Sequence, residues 1–338
     1  MNEFIQNFQP TSELLSRFLP EMLLAAVAML VLALDVILPK DRMKIGTTVA
    51  SVGLLSAAYL LTFVVPGESP LMRILGIFAA FFPICAFLAV HLAETVGERT
   101  EFQRPITNHL FLIATAAAMA LMKVENLVAF FVLLETVTIS LYALVGSYRK
   151  SAFSLEAGVK YLIAGGVSGG LMLFGIVLLY GAVSLAGVPG NPLDYTSVAT
   201  FFAMTHGTPL GLVGAGMVLA GVMFKLGIFP MQFWIPDVYQ GAPLHVTFFL
   251  GTLSKSVGFF LMVIFLAFVF SPAFSQLFPI LVALTLVSIV YANVAALGQQ
   301  KVKRLLGLSG VSHAGYLMLG LLAALLSLIH ISEPTRPY

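Results

Sequence analysis

Long apolar segments alternate with short polar links along almost the whole chain. At about 1.5 Å of rise per residue, each apolar segment is long enough to cross about 30 Å of hydrocarbon. The pattern predicts ten helices, near residues 18–38, 45–65, 71–93, 107–123, 126–147, 154–181, 208–230, 243–268, 275–297 and 305–329. The only long link, 182–207, is rich in glycine and proline and predicts an irregular surface loop. We therefore expect an all-α protein that crosses a membrane about ten times.

Composition agrees with this pattern. Of 338 residues, 59% are hydrophobic and 9% charged, against about 25% charged in a typical soluble domain. A net charge of +2 with scattered basic residues does not indicate nucleic-acid binding. Cys85 is the only cysteine, which excludes an internal disulfide, a structural zinc site and an iron–sulfur cluster held by this chain. With no soluble domain in view, we expect no flavin or nicotinamide in this chain either.

The lysines and arginines of the links predict the orientation. Links after even-numbered spans hold only Lys123 and, at the rim of the next span, Arg73. Links after odd-numbered spans hold Lys40, Arg42, Lys44, Arg99, Arg104, Arg149, Lys150, Lys301, Lys303 and Arg304. Because basic links stay on the cytoplasmic side, the pattern predicts an N-terminus outside a bacterial inner membrane.

Four charged residues lie within predicted spans, namely Glu135, Lys160, Lys225 and Lys255. A charge at the centre of a bilayer costs about 2.5–3.5 kcal/mol, so such residues mark polar paths or paired sites. Pro230 follows Lys225 by five residues and leaves the carbonyl of Leu226 without its helical donor, which predicts a broken helix near Lys225–Pro230. A charge beside a helix break points to a transport site. We expect this protein to move a cation, and a proton in particular.

An acid and several lysines suit a proton path. Burial favours the neutral amine of a lysine, and a nearby carboxylate favours the ammonium. We assign Glu135 as the partner, Lys225 as the gated carrier, Lys160 as a relay and Lys255 as the group that passes the proton onward. For Lys160, snorkelling to the interface is a serious alternative, and Glu135 could instead form a static ion pair.

Other polar positions carry weaker signals. His313, within the tenth span, could relay protons or make one fixed hydrogen bond between helices. The segment from Gly165 to Gly170 does not follow a strand, so we read its glycines as helix-packing positions rather than a nucleotide loop.

Four stretches of the chain resemble one family. They are LLETVTISLYALVGSYRKS from Leu133, EAGVKYLIAGGVSGGLMLFGIVLLYG from Glu156, FKLGIFPMQFWIPDVYQGAP from Phe224 and NVAALGQQKVKRLLGLSGVSHAGYLMLGL from Asn293. They are similar to subunit N of the proton-translocating NADH:quinone oxidoreductase, complex I, and the connector from Trp234 to Pro243 is specific to that subunit.

The resemblance implies an antiporter-like fold of fourteen helices with two inverted five-helix repeats, each containing a broken helix. It implies an N-terminal three-helix segment at 1–106, a first repeat at 107–268 and the start of a second at 269–326. Residues 327–338 turn polar abruptly, so we expect a foreign tail there on a C-terminally truncated chain, without the family's further lysine. The family's functional positions fall on Glu135, Lys160, Lys225 and Lys255, whereas His245 stands where the family has another residue.

The resemblance also implies the partners. NADH, FMN, iron–sulfur clusters and quinone would be held by other subunits, and this chain would contact other membrane subunits and the bilayer. Two alternatives stay open at this point: an Mrp-type cation/proton antiporter subunit and a non-catalytic membrane anchor. An anchor has no use for mid-membrane lysines beside a helix break.

Overall fold

A computed structural model describes residues 17–37, 44–63, 78–97, 104–205 and 207–332. In these ranges the chain is helical, with no β-strand beyond one isolated bridge. The helices are α1 Leu19–Ile37, α2 Lys44–Phe63, α3 Phe81–Gly97, α4 Arg104–Leu121, α5 Leu127–Val145, α6 Ala152–Leu185, α7 Tyr195–Thr205, α8 Pro209–Leu226, α9 Ile235–Gly241, α10 Leu244–Val269, α11 Phe274–Leu297 and α12 Val302–Ser332.

Ten of these helices match the ten predicted spans. Eight are long and apolar enough to cross a membrane, and the shorter apolar helices Phe81–Thr95 and Thr107–Leu121 bring the described set to ten. The predicted all-α polytopic fold is confirmed. The third helix runs from Phe81 to Gly97, and residues 71–77 of the predicted span 71–93 lie outside the described ranges. At the other end, α12 continues without interruption past Ser327 to Ser332, and residues 333–338 of the expected tail lie outside the described part.

The prediction of an irregular loop at 182–207 is wrong for its second half. Residues 195–205 form α7, and its buried side chains Tyr195, Val198, Phe201 and Phe202 recur at helical spacing. The preceding segment pairs with the α4–α5 link, where Asn126 Nδ2 donates to Asp194 Oδ1 at 2.7 Å. The glycines and prolines at the start of the link made the whole link look irregular. Its second half instead forms a short amphipathic helix that packs against the bundle.

The predicted break near Lys225–Pro230 is present, but the helix is ended by Gly227 rather than by Pro230. Gly227 has φ 76°, in the left-handed region, and its N–H bonds the carbonyls of Met223 and Phe224. Trp234 Nε1 donates to the Phe224 carbonyl at 3.1 Å, which satisfies one of the acceptors left at the helix end. α8 therefore ends at Leu226, four residues before Pro230, and α9 follows after a short connector.

A buried ion pair fixes the first helix to the rest of the bundle. Lys123 lies in the α4–α5 link, and its Nζ is 2.7 Å from Glu21 Oε1 of α1. Both side chains are almost fully buried. Burial lowers the pKa of Lys123, and the Glu21 carboxylate acts in the opposite direction. This contact holds α1 against the start of α5, the helix that carries Glu135.

Candidate functional site

Lys225 lies in the last turn of α8 and is 4% exposed. Its Nζ donates a hydrogen bond to the Thr138 hydroxyl of α5. The carbonyl end of a helix carries a partial negative charge, so the position favours an ammonium group. The helix break therefore places a buried amine at a helix terminus, with one side-chain acceptor beside it.

Glu135 lies three residues before Thr138 on α5, so both side chains project from neighbouring positions on one helix face. The carboxylate interacts electrostatically with Lys225 rather than through a direct ion pair. It reaches towards α6, where a Cβ added to Gly169 would lie only 2.8 Å from Glu135 Oε1. Glu135, Thr138 and Lys225 thus form one cluster, and Gly169 leaves the space that the carboxylate occupies.

The glycines of α6 divide into two faces. Gly165 faces Tyr142 and Gly169 faces Glu135, whereas nothing lies within 4 Å of a Cβ placed at Gly166 or Gly170. Within the described residues, Gly165 and Gly169 therefore pack closely against side chains of α5, whereas Gly166 and Gly170 have no close neighbour.

Lys255 forms a second cluster on α10. The π-helical turn Leu250–Ser254 directly precedes it, a feature frequently found at functional sites. Its Nζ lies against Gly310 of α12 and 5.7 Å from the ring centroid of Tyr239. The amine lines a cavity of about 590 Å³ between α10 and α12.

His313 opens onto the same cavity as Lys255. The side chain is exposed, and its Nδ1 lies 3.3 Å from the Ser309 hydroxyl one turn earlier on α12. The structure therefore places His313 and Lys255 on the lining of one cavity.

Lys160 belongs to a third cluster, at the surface. Its Nζ pairs with Glu156 Oε1 at 2.7 Å and with Asp237 Oδ2 at 2.9 Å. Asp237, on α9, also pairs with Arg304 Nη1 of α12 at 2.8 Å. The hydrogen bond from Lys160 is the main cause that lowers the pKa of Asp237; burial opposes it and Arg304 adds to it. These ion pairs clamp α9, the helix after the break, between α6 and α12.

Sequence reasoning missed three members of these clusters. Thr138 is uncharged, so it does not stand out in an apolar span. Only its position three residues after Glu135 could have suggested a role for it. Asp237 and Tyr239 were visible in the connector motif but received no role. In the described ranges no group of three His, Cys, Asp or Glu side chains is arranged to hold a metal ion. What the clusters offer instead is a series of groups that can accept and release protons.

Comparisons with known proteins identify relatives of this chain. Residues 124–331 match the family model described as "NADH:quinone oxidoreductase/Mrp antiporter, TM". The chain is 40% identical over 331 residues to NADH-quinone oxidoreductase subunit N 1 of Opitutus terrae, covering 91% of this chain and 64% of that protein. The resemblance to subunit N is thereby confirmed.

Two solved structures share the fold. A chain of respiratory complex I from Thermus thermophilus with bound aureothin matches with a TM-score of 0.68 at 27% identity, covering 89% of this chain and 64% of that one. A chain of the Mrp complex from Dietzia sp. DQ12-45-1b matches with a TM-score of 0.75, 90% and 59% coverage and 17% identity, and shows the fold alone. This chain spans somewhat less than two thirds of the length of these relatives. Because the family model covers more than half of the chain, the protein belongs to the NADH:quinone oxidoreductase/Mrp antiporter transmembrane family.

Proposed function

We propose that this chain is the subunit N type of proton-translocating subunit in a respiratory NADH:quinone oxidoreductase. The observation that carries the proposal is the position of Lys225. A buried amine at the end of a broken helix, bonded to Thr138 and in the field of Glu135, has the chemistry of a switchable proton carrier.

In this proposal Lys225 loads and releases one proton. When the Glu135 carboxylate approaches, the ammonium form is favoured; when it recedes, burial favours the neutral amine and the proton leaves. Thr138 suits both states, because its hydroxyl accepts from an ammonium while donating to the Leu134 carbonyl at 2.6 Å, and it can turn from that carbonyl to donate to a neutral amine.

The other groups extend the path. Lys255 receives the proton at its cavity, and His313 serves there as a relay towards α12. Lys160 relays protons at the surface cluster, where it must first separate from Glu156 and Asp237, because an ammonium held by two carboxylates keeps its proton.

The driving energy comes from partner subunits. NADH, FMN, iron–sulfur clusters and quinone are held there, and this chain carries out no redox chemistry itself. It sits in a bacterial inner membrane with its N-terminus outside, next to other membrane subunits. In this proposal residues 1–106 form its N-terminal three-helix segment, 107–268 its first repeat and 269–326 the start of its second.

A second candidate is a subunit of an Mrp-type cation/proton antiporter, favoured by the fold shared with the Dietzia complex. The connector from Trp234 to Pro243 and the 40% identity to a subunit N favour the first candidate.

Purification separates the two. The full reading frame that encodes this chain would be affinity-tagged in its own organism, and the complex isolated from its membranes. The proposal predicts that NADH:quinone oxidoreductase activity co-purifies with the tag and that the reconstituted complex acidifies liposomes only with NADH and quinone. A complex that lacks NADH oxidation and exchanges Na⁺ for H⁺ would identify the antiporter instead.

A further inference from the structure

Three tyrosines and a serine lie buried between the Glu135–Lys225 cluster and Lys255. Tyr142 is 8% exposed, Tyr161 0%, Tyr239 4% and Ser254 1%. Among the described residues, none of their four hydroxyl groups makes a well-formed hydrogen bond. Buried hydroxyls are nearly always hydrogen-bonded, so four unsatisfied ones in one region call for an explanation.

The first hydroxyl, that of Tyr142, lies about one helical turn from Glu135. A Cβ at Gly165 would overlap the Tyr142 hydroxyl, and a Cβ at Gly169 would lie 2.8 Å from Glu135 Oε1. These glycines are four residues apart on one face of α6, about 6 Å along the helix axis. The Tyr142 hydroxyl and the Glu135 carboxylate therefore lie about one helical turn apart along the same groove, and they interact electrostatically.

Tyr161 connects the two ends. Its ring packs edge-on against Tyr142, with centroids 4.7 Å apart, and stacks on Trp234 at 4.5 Å. Its hydroxyl lies near Ser254, the residue before Lys255, and Trp234 lies between the Tyr161 and Tyr239 rings, with its own ring centroid 6.4 Å from that of Tyr239.

The ring of Tyr239, which carries the last hydroxyl, lies beside Lys255. A Cβ at Gly251 would lie 3.6 Å from the Tyr239 hydroxyl, and Gly251 is one turn before Lys255 on α10. The Lys255 amine itself lies 5.7 Å from the centre of the Tyr239 ring.

We infer that the hydroxyls of Tyr142, Tyr161, Ser254 and Tyr239 carry protons from the Glu135–Lys225 cluster to Lys255. The inference rests on the proposed function. One N–H bond of the Lys225 ammonium breaks and one forms at the neutral Lys255 amine. Each hydroxyl on the way accepts one proton and gives up its own, with bridging water where two hydroxyls are out of direct reach. The hydroxyls therefore stay neutral overall, one positive charge moves from Lys225 to Lys255, and no electron is transferred.

Tyr-to-Phe substitutions test the relay, because they keep the ring and remove only the oxygen. The hydroxyls have no well-formed bond to lose, so these variants should assemble like the parent. Tyr142→Phe, Tyr161→Phe and Tyr239→Phe would each be placed in the full-length gene, with Tyr180→Phe, an exposed tyrosine on α6, as the matched control. Inverted membrane vesicles would be assayed for NADH-driven acidification per amount of assembled subunit, alongside Lys225→Ala.

The relay predicts that Tyr161→Phe loses as much acidification as Lys225→Ala, that Tyr142→Phe and Tyr239→Phe also lose acidification, and that Tyr180→Phe matches the parent. If Tyr161→Phe does not assemble, the acidification measured with Tyr142→Phe and Tyr239→Phe tests the relay. Parental acidification by the assembled tyrosine variants, with loss in Lys225→Ala, would overturn the relay and leave the proposed function standing. Parental acidification by Lys225→Ala would overturn both.

Discussion

The ammonium group of Lys225 donates its hydrogen bond to Thr138, three residues along α5 from Glu135. The amine is thus held near the carboxylate without being paired to it. A carrier that must release its proton benefits from this arrangement, because a direct buried ion pair would hold the charge in place.

Replacing Thr138 by valine should impair this site. Valine is nearly isosteric, but it removes the acceptor for a buried amine, and leaving such a group unsatisfied costs about 1–3 kcal/mol. We expect less acidification per assembled subunit and a lower melting temperature of the complex. Thr136→Val is the control on the same helix, because within the described part of the chain the Thr136 hydroxyl bonds only the Val132 carbonyl. Equal behaviour of the two variants would contradict a role for Thr138.

Gly169 should be unable to accept a side chain. A Cβ there would push the Glu135 carboxylate from its place beside α6, so Gly169→Ala should lower NADH-driven acidification as Glu135→Gln does. Gly170→Ala places the same methyl group where nothing lies within 4 Å, and alanine is favoured in helices by about 1 kcal/mol. That variant should assemble and pump like the parent. A functional Gly169→Ala would show that the carboxylate does not need this position.

Sequence reasoning located the spans because a bilayer demands long apolar helices, and it identified Glu135, Lys225 and Lys255 because charges in such helices are costly. It could not show that Lys225 contacts Thr138 rather than Glu135, since spacing along one helix says nothing about the helix opposite. Nor could it choose between burial and exposure for Lys160. The position of the Lys160 side chain depends on Asp237, which lies 77 residues further along the chain. Asp237 is next to Lys160 only because the helix break places α9 beside α6.

Gly310 should be equally sensitive at the second cluster. A Cβ at this position would overlap the Lys255 amine and force the lysine away from Tyr239. We expect Gly310→Ala to lower acidification while the subunit still assembles. Gly320→Ala, on the same helix with nothing within 4 Å, serves as the control. If the two variants pump equally, the observed position of Lys255 is not needed for transport.

Asp237→Asn should loosen the clamp on α9. The paired side chains are 33–46% exposed, so each ion pair contributes about 1 kcal/mol or less. Because Lys160 lowers the pKa of Asp237, the contribution is present above the ordinary pKa of about 3.9 and is lost as pH falls through the lowered value. We therefore expect the parent to melt above Asp237→Asn at pH 7, with the difference shrinking below about pH 4.

Thermal melts of both complexes at a series of pH values would check this. Glu156→Gln is the comparison, because Glu156 pairs only with Lys160 among the described residues and is 58% exposed. It should lower the melting temperature less than Asp237→Asn. A stability difference that does not change with pH would show that the Asp237 charge is not its source.

Lys225→Ala tests the central claim most directly, namely that Lys225 carries the translocated proton. Inverted vesicles with Lys225→Ala, and with the exposed link variant Lys301→Ala as control, would be compared for acidification and for NADH oxidation with the proton gradient collapsed by an uncoupler. We predict that Lys225→Ala assembles but acidifies far less per NADH oxidised than the parent, whereas Lys301→Ala matches the parent. An assembled Lys225→Ala complex with the parental ratio of protons to NADH would contradict the account.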